Sequence, residues 1–150
     1  MKKLILMPLV CLLFCCGSTK KATEQKPENV NKKQQTALYQ ILSESAYQGK
    51  EVKSYEVIKD KASLEKLYEA INDTQVPKVD FTKERIVALF MGQRNTGGYA
   101  IKVKNVTEKG EKIYVDVQET SPGSGDIVTM ALTNPFTIVK INSTKEIIFQ

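Results

Sequence analysis

Residues 85–91 read Arg-Ile-Val-Ala-Leu-Phe-Met, apolar at nearly every position after the first. Successive side chains of a strand point to opposite faces, so a run with no polar face has to be covered on both sides. Residues 85–91 are therefore expected to form a central strand, and the fold to be layered above and below it. Downstream the two-residue period persists. Tyr99, Ile101 and Val103 alternate with Ala100, Lys102 and Lys104, and Ile113, Val115 and Val117 alternate with Tyr114, Asp116 and Gln118. Residues 127–131, 136–141 and 146–149 read as further short strands between turn residues.

Upstream the pattern is mixed. Residues 52–58 are expected to be a strand, whereas 36–47 fit a helix or a strand equally. In 61–72, Leu64, Leu67, Tyr68 and Ile71 recur at helical spacing. Asp60 is placed to cap the first turn, and Asn72, Asp73 and Pro77 to end the helix. The expected class is mainly β (α+β): an antiparallel sheet or sandwich-like domain with one covering helix.

The first residues constrain location. Lys2 and Lys3 precede an apolar run from Leu4 to Phe14, which is too short to span a bilayer and has the form of an export signal. Leu13-Phe14-Cys15-Cys16 resembles the lipobox of bacterial lipoproteins, which implies cleavage before Cys16 and lipidation of that residue. The three cysteines are Cys11, Cys15 and Cys16, so the processed chain has none left for an internal disulfide. Its folded part must be held by its core. The expected division is a signal peptide over 1–15, a disordered tether over 16–36 with lipidated Cys16, and a domain over 37–150. The tether reading rests on composition: Val30 is the one sizeable aliphatic residue between 17 and 35, among many Lys, Glu, Gln and Asn.

The formal charge of +5 does not mark a nucleic-acid binder. Two of those charges leave with the signal, and the tether carries five lysines against two glutamates. From Thr36 onward there are 15 basic and 15 acidic residues, which leaves no net positive charge on the domain to track a phosphate backbone.

Two glycine-bearing loops stand out. Arg94, Asn95, Thr96, Gly97, Gly98 and Tyr99 join the central strand to the next, and Ser121, Pro122, Gly123, Ser124, Gly125 and Asp126 form the second. Both have ordinary turn chemistry. A phosphate cradle is disfavoured for the first, because a strand and not a helix follows it. Counting strands brings the two loops to the same end of the sheet, sends Thr133, Asn134 and Pro135 to the other, and returns residues 142–145 to the first. Loops on a rigid sheet are a usual place for recognition. The residues from Arg94 to Tyr99 and from Ser121 to Gly125 are thus the candidate partner-binding set.

At these residues the chain resembles the C-terminal domain of the protease complex subunit PrcB family. The motifs are Ile86-Val-Ala-Leu-Phe-Met-Gly92, Asn95-Thr-Gly-Gly-Tyr-Ala-Ile101, Glu119-Thr-Ser-Pro-Gly123, Thr133-Asn-Pro-Phe136 and Ile138-Val-Lys140. The resemblance implies an exported, lipid-anchored bacterial protein with a protein-binding accessory role beside a protease. A second resemblance is looser: Thr-Gly-Gly-Tyr is similar to the turn by which chagasin-like inhibitors enter a cysteine-peptidase cleft. Those inhibitors bring three loops to one end of a sandwich, and the strand count above separates the third.

The chain has no histidine. That removes Ser-His and Cys-His dyads and the commonest zinc sites. A serine–lysine pair, or carboxylates among Asp116, Glu119 and Asp126, would be what remains for catalysis. Asp126 beside Gly125 reads as a turn residue. The expectation is a non-catalytic module with no cofactor and no metal, taking a protein partner and held to a membrane by lipid. Peptidase inhibition and envelope glycan binding are the alternatives; the second lacks a tryptophan for stacking on sugar rings.

Overall fold

The computed structural model describes residues 38–150. The expected signal peptide, Cys16 and the expected tether lie outside the described residues. Among the described residues the elements follow in the order β1 (Tyr39–Ser45), β2 (Ser54–Ile58), α1 (Lys61–Ala70), β3 (Arg85–Phe90), β4 (Ala100–Lys109), β5 (Lys112–Thr120), β6 (Phe136–Ile141) and β7 (Glu146–Phe149). The strands make two sheets, β1-β6-β3-β2 and β4-β5-β7. The fold is mainly β with one covering helix, as the patterns require.

β3 lies inside the larger sheet, paired with β2 and β6, and all its residues after Arg85 are fully buried. Its two faces serve different layers. Ile86, Ala88 and Phe90 meet Leu64, Leu67 and Tyr68 of α1 together with Ile71, while Val87 and Leu89 meet Ile101, Val103, Ile113 and Val115 of the smaller sheet. The result is helix on sheet on sheet, with β3 in the middle layer. Asp60 caps α1 as expected, its carboxylate accepting from the Ser63 amide at 2.8 Å. At the other end Asn72 turns out of the helix at φ 54°, a left-handed conformation that Asn tolerates better than most residues.

Within the segment that fitted a helix or a strand equally, Tyr39–Ser45 forms a strand. A register shift between Ile41 and Ser43 breaks its alternation. A second shift between Val103 and Asn105 lets Val103 and Val106 face the core from an odd spacing. β7 pairs with β5 in parallel, a departure from the antiparallel rule of the other pairs.

Residues 127–131 are not a strand. They have no regular structure, with a bend at Ala131, and Ile127 and Met130 are almost entirely exposed. One strand fewer reverses the later strand count. In the larger sheet Ser54, Phe90, Phe136 and Ser45 form one row at the sheet's edge. The loops 46–53 and 91–99 and the long connection 121–135 all leave from this end. Thr133, Asn134 and Pro135 therefore lie beside the first glycine loop and not opposite it. Residues 142–145 lie at the far end, where Arg85, Ile141 and Tyr39 pair.

Candidate functional site

The loop end is built on the Ser54–Phe90–Phe136–Ser45 row, and backbone bonds fix its loops to one another. Arg94 and Thr133 exchange two backbone bonds, at 2.8 and 2.9 Å, and the Gly97 amide donates to the Thr129 carbonyl at 2.9 Å. The Asn134 amide donates to Ala46 at 2.7 Å, the Gly49 amide to Asn134 at 2.8 Å, and the Gln93 amide to Glu51 at 2.9 Å. The Thr133 hydroxyl, buried, donates to the Thr96 carbonyl. Three loops thus form one rigid surface.

Glycine is required where the first two loops touch. Gly98 sits at φ 86°, and a Cβ there would lie 3.1 Å from Pro122 Cβ and 3.3 Å from Val128 Cγ1. Gly97 is buried, and a Cβ on it would run into the Thr129 hydroxyl. Gly97 and Gly98 therefore let the 121–129 segment lie directly on the 91–99 loop. The second loop closes on itself: the Gly123 amide donates to the Asp126 carboxylate at 2.7 Å. Asp126 is the turn residue its position suggested.

The candidate residues divide by exposure. Asn95, Gly98, Ser121, Gly123, Ser124 and Gly125 face solvent, Gly97 is buried, and Arg94, Thr96, Tyr99 and Pro122 are half-buried. Arg94 turns inward: its guanidinium stands 5.5 Å from the centre of the Tyr99 ring and donates to the Met91 carbonyl at 3.0 Å. Its Nε is buried without an acceptor among the described residues. Arg94 and Tyr99 brace the surface more than they present it.

What the sequence reading missed is apolar. The exposed large hydrophobic residues at this end are Tyr47 and Val52 on the 46–53 loop and Ile127, Met130 and Leu132 on the long connection, with Ile127 fully exposed and Met130 at 87%. The pattern of 127–131 predicts a short strand, whereas the structure pairs these residues with no strand.

Beside these loops Glu119 joins the two sheets. It accepts from the Tyr55 hydroxyl and forms an ion pair with Lys53. Its carboxyl is held below the ordinary value of 4.5, first by the Lys53 hydrogen bond and then by Tyr55. Lys53 is raised above 10.5, first by its bond to Glu119, and Tyr55 is raised above 10.0, first by burial. Each moves away from neutrality, the wrong direction for a general acid or base working near pH 7. Across the domain, Glu84 is likewise lowered, first by its hydrogen bond with Lys140, whose Nζ lies 2.9 Å away.

A carboxylate whose folded value is depressed contributes stability above its unfolded value, and that contribution is lost as pH falls through the folded value. The raised Lys53 and Tyr55 act oppositely, and their contributions are lost only as pH rises beyond about 10. Urea midpoints are therefore expected to be flat from about pH 5.5 to 9 and to fall below about pH 4.5. The double variant Glu84→Gln, Glu119→Gln is expected to flatten the acid limb of that curve. An unchanged acid limb would show that neither pairing is retained in solution.

A cavity of about 210 Å³ opens between β1 and β4, lined by Ser45, Tyr99, Ile101 and Phe136 among others, below the usual size for a small-molecule site. A wider, open depression of about 490 Å³ lies at the loop end, lined by Tyr47, Gly49, Lys50, Gln93 and Asn134 among others.

No curated protein and no solved structure matches this chain. A family model does: residues 85–142 match the one described as PrcB C-terminal. The matched span runs from β3, through both glycine-bearing loops and the exposed apolar connection, to the end of β6. By that match, and by the motifs on its loops, the segment 85–142 is similar to the PrcB C-terminal family.

Proposed function

We propose that this protein is a non-catalytic, protein-binding accessory subunit of an exported protease complex, anchored to the cell envelope through lipidated Cys16 and docking through its loop end. The observation that carries this reading is the gathering of Tyr47, Val52, Ile127, Met130 and Leu132, all exposed, on loops that leave one end of the sheets. Exposed apolar clusters of this kind mark interaction sites. The family match supports the protease-complex context. The outward pKa shifts around Glu119 and the lack of histidine favour binding over catalysis. β1 begins at the end opposite the loops, so a tether entering there favours presentation of the loops away from the membrane.

A second reading, peptidase inhibition, gains from the same geometry. It calls for three loops at one end, and 91–99, 121–126 and 133–135 are joined there by backbone bonds and close contact.

A photo-crosslinking residue at Tyr47, introduced into the full chain in its own cells, is expected to yield a defined protein adduct, and mass spectrometry of the same sample an acylated Cys16 peptide. Adducts confined to envelope glycan would contradict the docking, and an unmodified Cys16 in the mature chain would contradict the anchor.

A further inference from the structure

The end opposite the loops carries a depression of about 340 Å³, lined by Lys59, Arg85, Lys145 and Glu146 among others. Strand alternation puts its first two cations side by side. Ile58, the last residue of β2, pairs with Ile86, and both belong to the helix-facing cluster. Lys59 and Arg85 are the next step of that register and turn to the other face, where Val57 and Ile147 pack against the cluster between the sheets. Val57 and Ile147 line the same depression.

The charges there do not cancel. Lys145 Nζ lies 2.6 Å from a Glu108 oxygen, and Glu146 is paired with Lys112 at 3.4 Å. Glu84, next to Arg85 in sequence, is paired with Lys140. Lys59 and Arg85 are left with no carboxylate partner among the described residues. One amino group of Arg85 donates to the Phe81 and Glu84 carbonyls, which holds the guanidinium in place, while its Nε and second amino group have no acceptor among the described residues. A held guanidinium offers paired donors to phosphate, and an ammonium beside it adds a point charge. A carboxylate has two oxygens to set against these donors, whereas a phosphate has enough to meet both cations at once.

We infer that Lys59 and Arg85 form a phosphate-binding site at this end of the domain. Arg85 pairs with Ile141, and Ile141 with Tyr39 at the start of β1, so the chain enters the domain beside the site. Two sources of the phosphate fit, the head group of an anionic lipid and free phosphate. The first rests on the lipid anchor proposed above, and it would seat the domain on the bilayer with its loop end outward. The site itself rests only on the residues named.

In the test, inorganic phosphate is titrated into the purified full chain in an uncharged detergent, against chloride and acetate at matched ionic strength, and backbone amides are followed by NMR. Phosphate is expected to move the amides of residues 144–147 saturably, and chloride and acetate are not. Lys59→Gln is expected to weaken the apparent affinity about fivefold, the effect of one near-surface charge. Arg85→Gln also loses two bonds to carbonyls, so Lys59→Gln is the variant whose unchanged urea midpoint separates binding from folding. In a second arm the full chain, with a photo-crosslinking residue at Thr144, which also lines the depression, is reconstituted in vesicles of phosphatidylcholine with or without phosphatidylglycerol. Lipid adducts that require phosphatidylglycerol and fall with Lys59→Gln would assign the head group as ligand. Saturable amide changes without lipid adducts would support the site with free phosphate as ligand. Failure of the site would leave loop-end docking intact, which the Tyr47 crosslinker decides. Amides unmoved by phosphate, together with lipid adducts that are absent or equal in the two vesicles, would overturn the site, and so would acetate acting as phosphate does.

Discussion

Replacing Phe90 by alanine is expected to cost about 3–5 kcal/mol in a urea titration, a large part of the 5–15 kcal/mol typical of a domain. Phe90 is fully buried at the end of β3, its ring centre 6.0 Å from that of Phe136, with the Lys50 ammonium 4.9 Å above it. It belongs to the helix-facing cluster and to the row from which the loops leave. Truncation leaves a cavity that neither Ala88 nor the fixed loop 46–53 can close, so the transfer loss and the cavity term add. A loss under about 1 kcal/mol would mean that the helix does not seal this end of the sheet as described.

Gly98→Val is expected to reduce partner crosslinking at least tenfold while the two core clusters stay folded. A β-branched residue at φ 86° is strained by about 1–3 kcal/mol, and its side chain would enter the space held by Pro122 and Val128. The 91–99 loop and the 121–129 segment must then separate. Gly110 supplies the control: it sits at φ 60° in the β4–β5 turn, at the other end, with open space around its Cβ position. Gly110→Val carries comparable backbone strain and is expected to lose stability without losing crosslinking. Equal losses of crosslinking in both variants would assign the effect to general destabilisation and remove the loop contact from the account.

These expectations draw unequally on the sequence. The layered fold was legible because residues 86–91 have no polar face, which requires cover on both sides, and because α1 carries its apolar side chains at strict helical spacing with Asp60 as its cap. The approach of the two glycine loops also followed from strand counting. The count failed one step later for a physical reason. Period and hydrophobicity register that residues 127–131 could sit in a sheet, but not whether an unpaired edge exists to accept them. Reading them as a strand reversed the placement of Thr133–Asn134–Pro135 and concealed the most exposed apolar side chains of the loop end. Arg94 shows the converse limit. A cation in a recognition loop suggests contact with a partner, yet Tyr99 and the Met91 carbonyl hold its guanidinium inward.

The loop end carries its own probe. Among the described residues Met130 is exposed at 87%, whereas Met91, just past β3, is 2% exposed. Hydroxyl-radical footprinting of the purified full chain should oxidise Met130 readily and spare Met91, and in intact cells Met130 should be protected several-fold with Met91 unchanged. Met130 oxidised as fast in the cell as in the purified protein would contradict the account, because it would leave the apolar loop end uncovered where its partner is present.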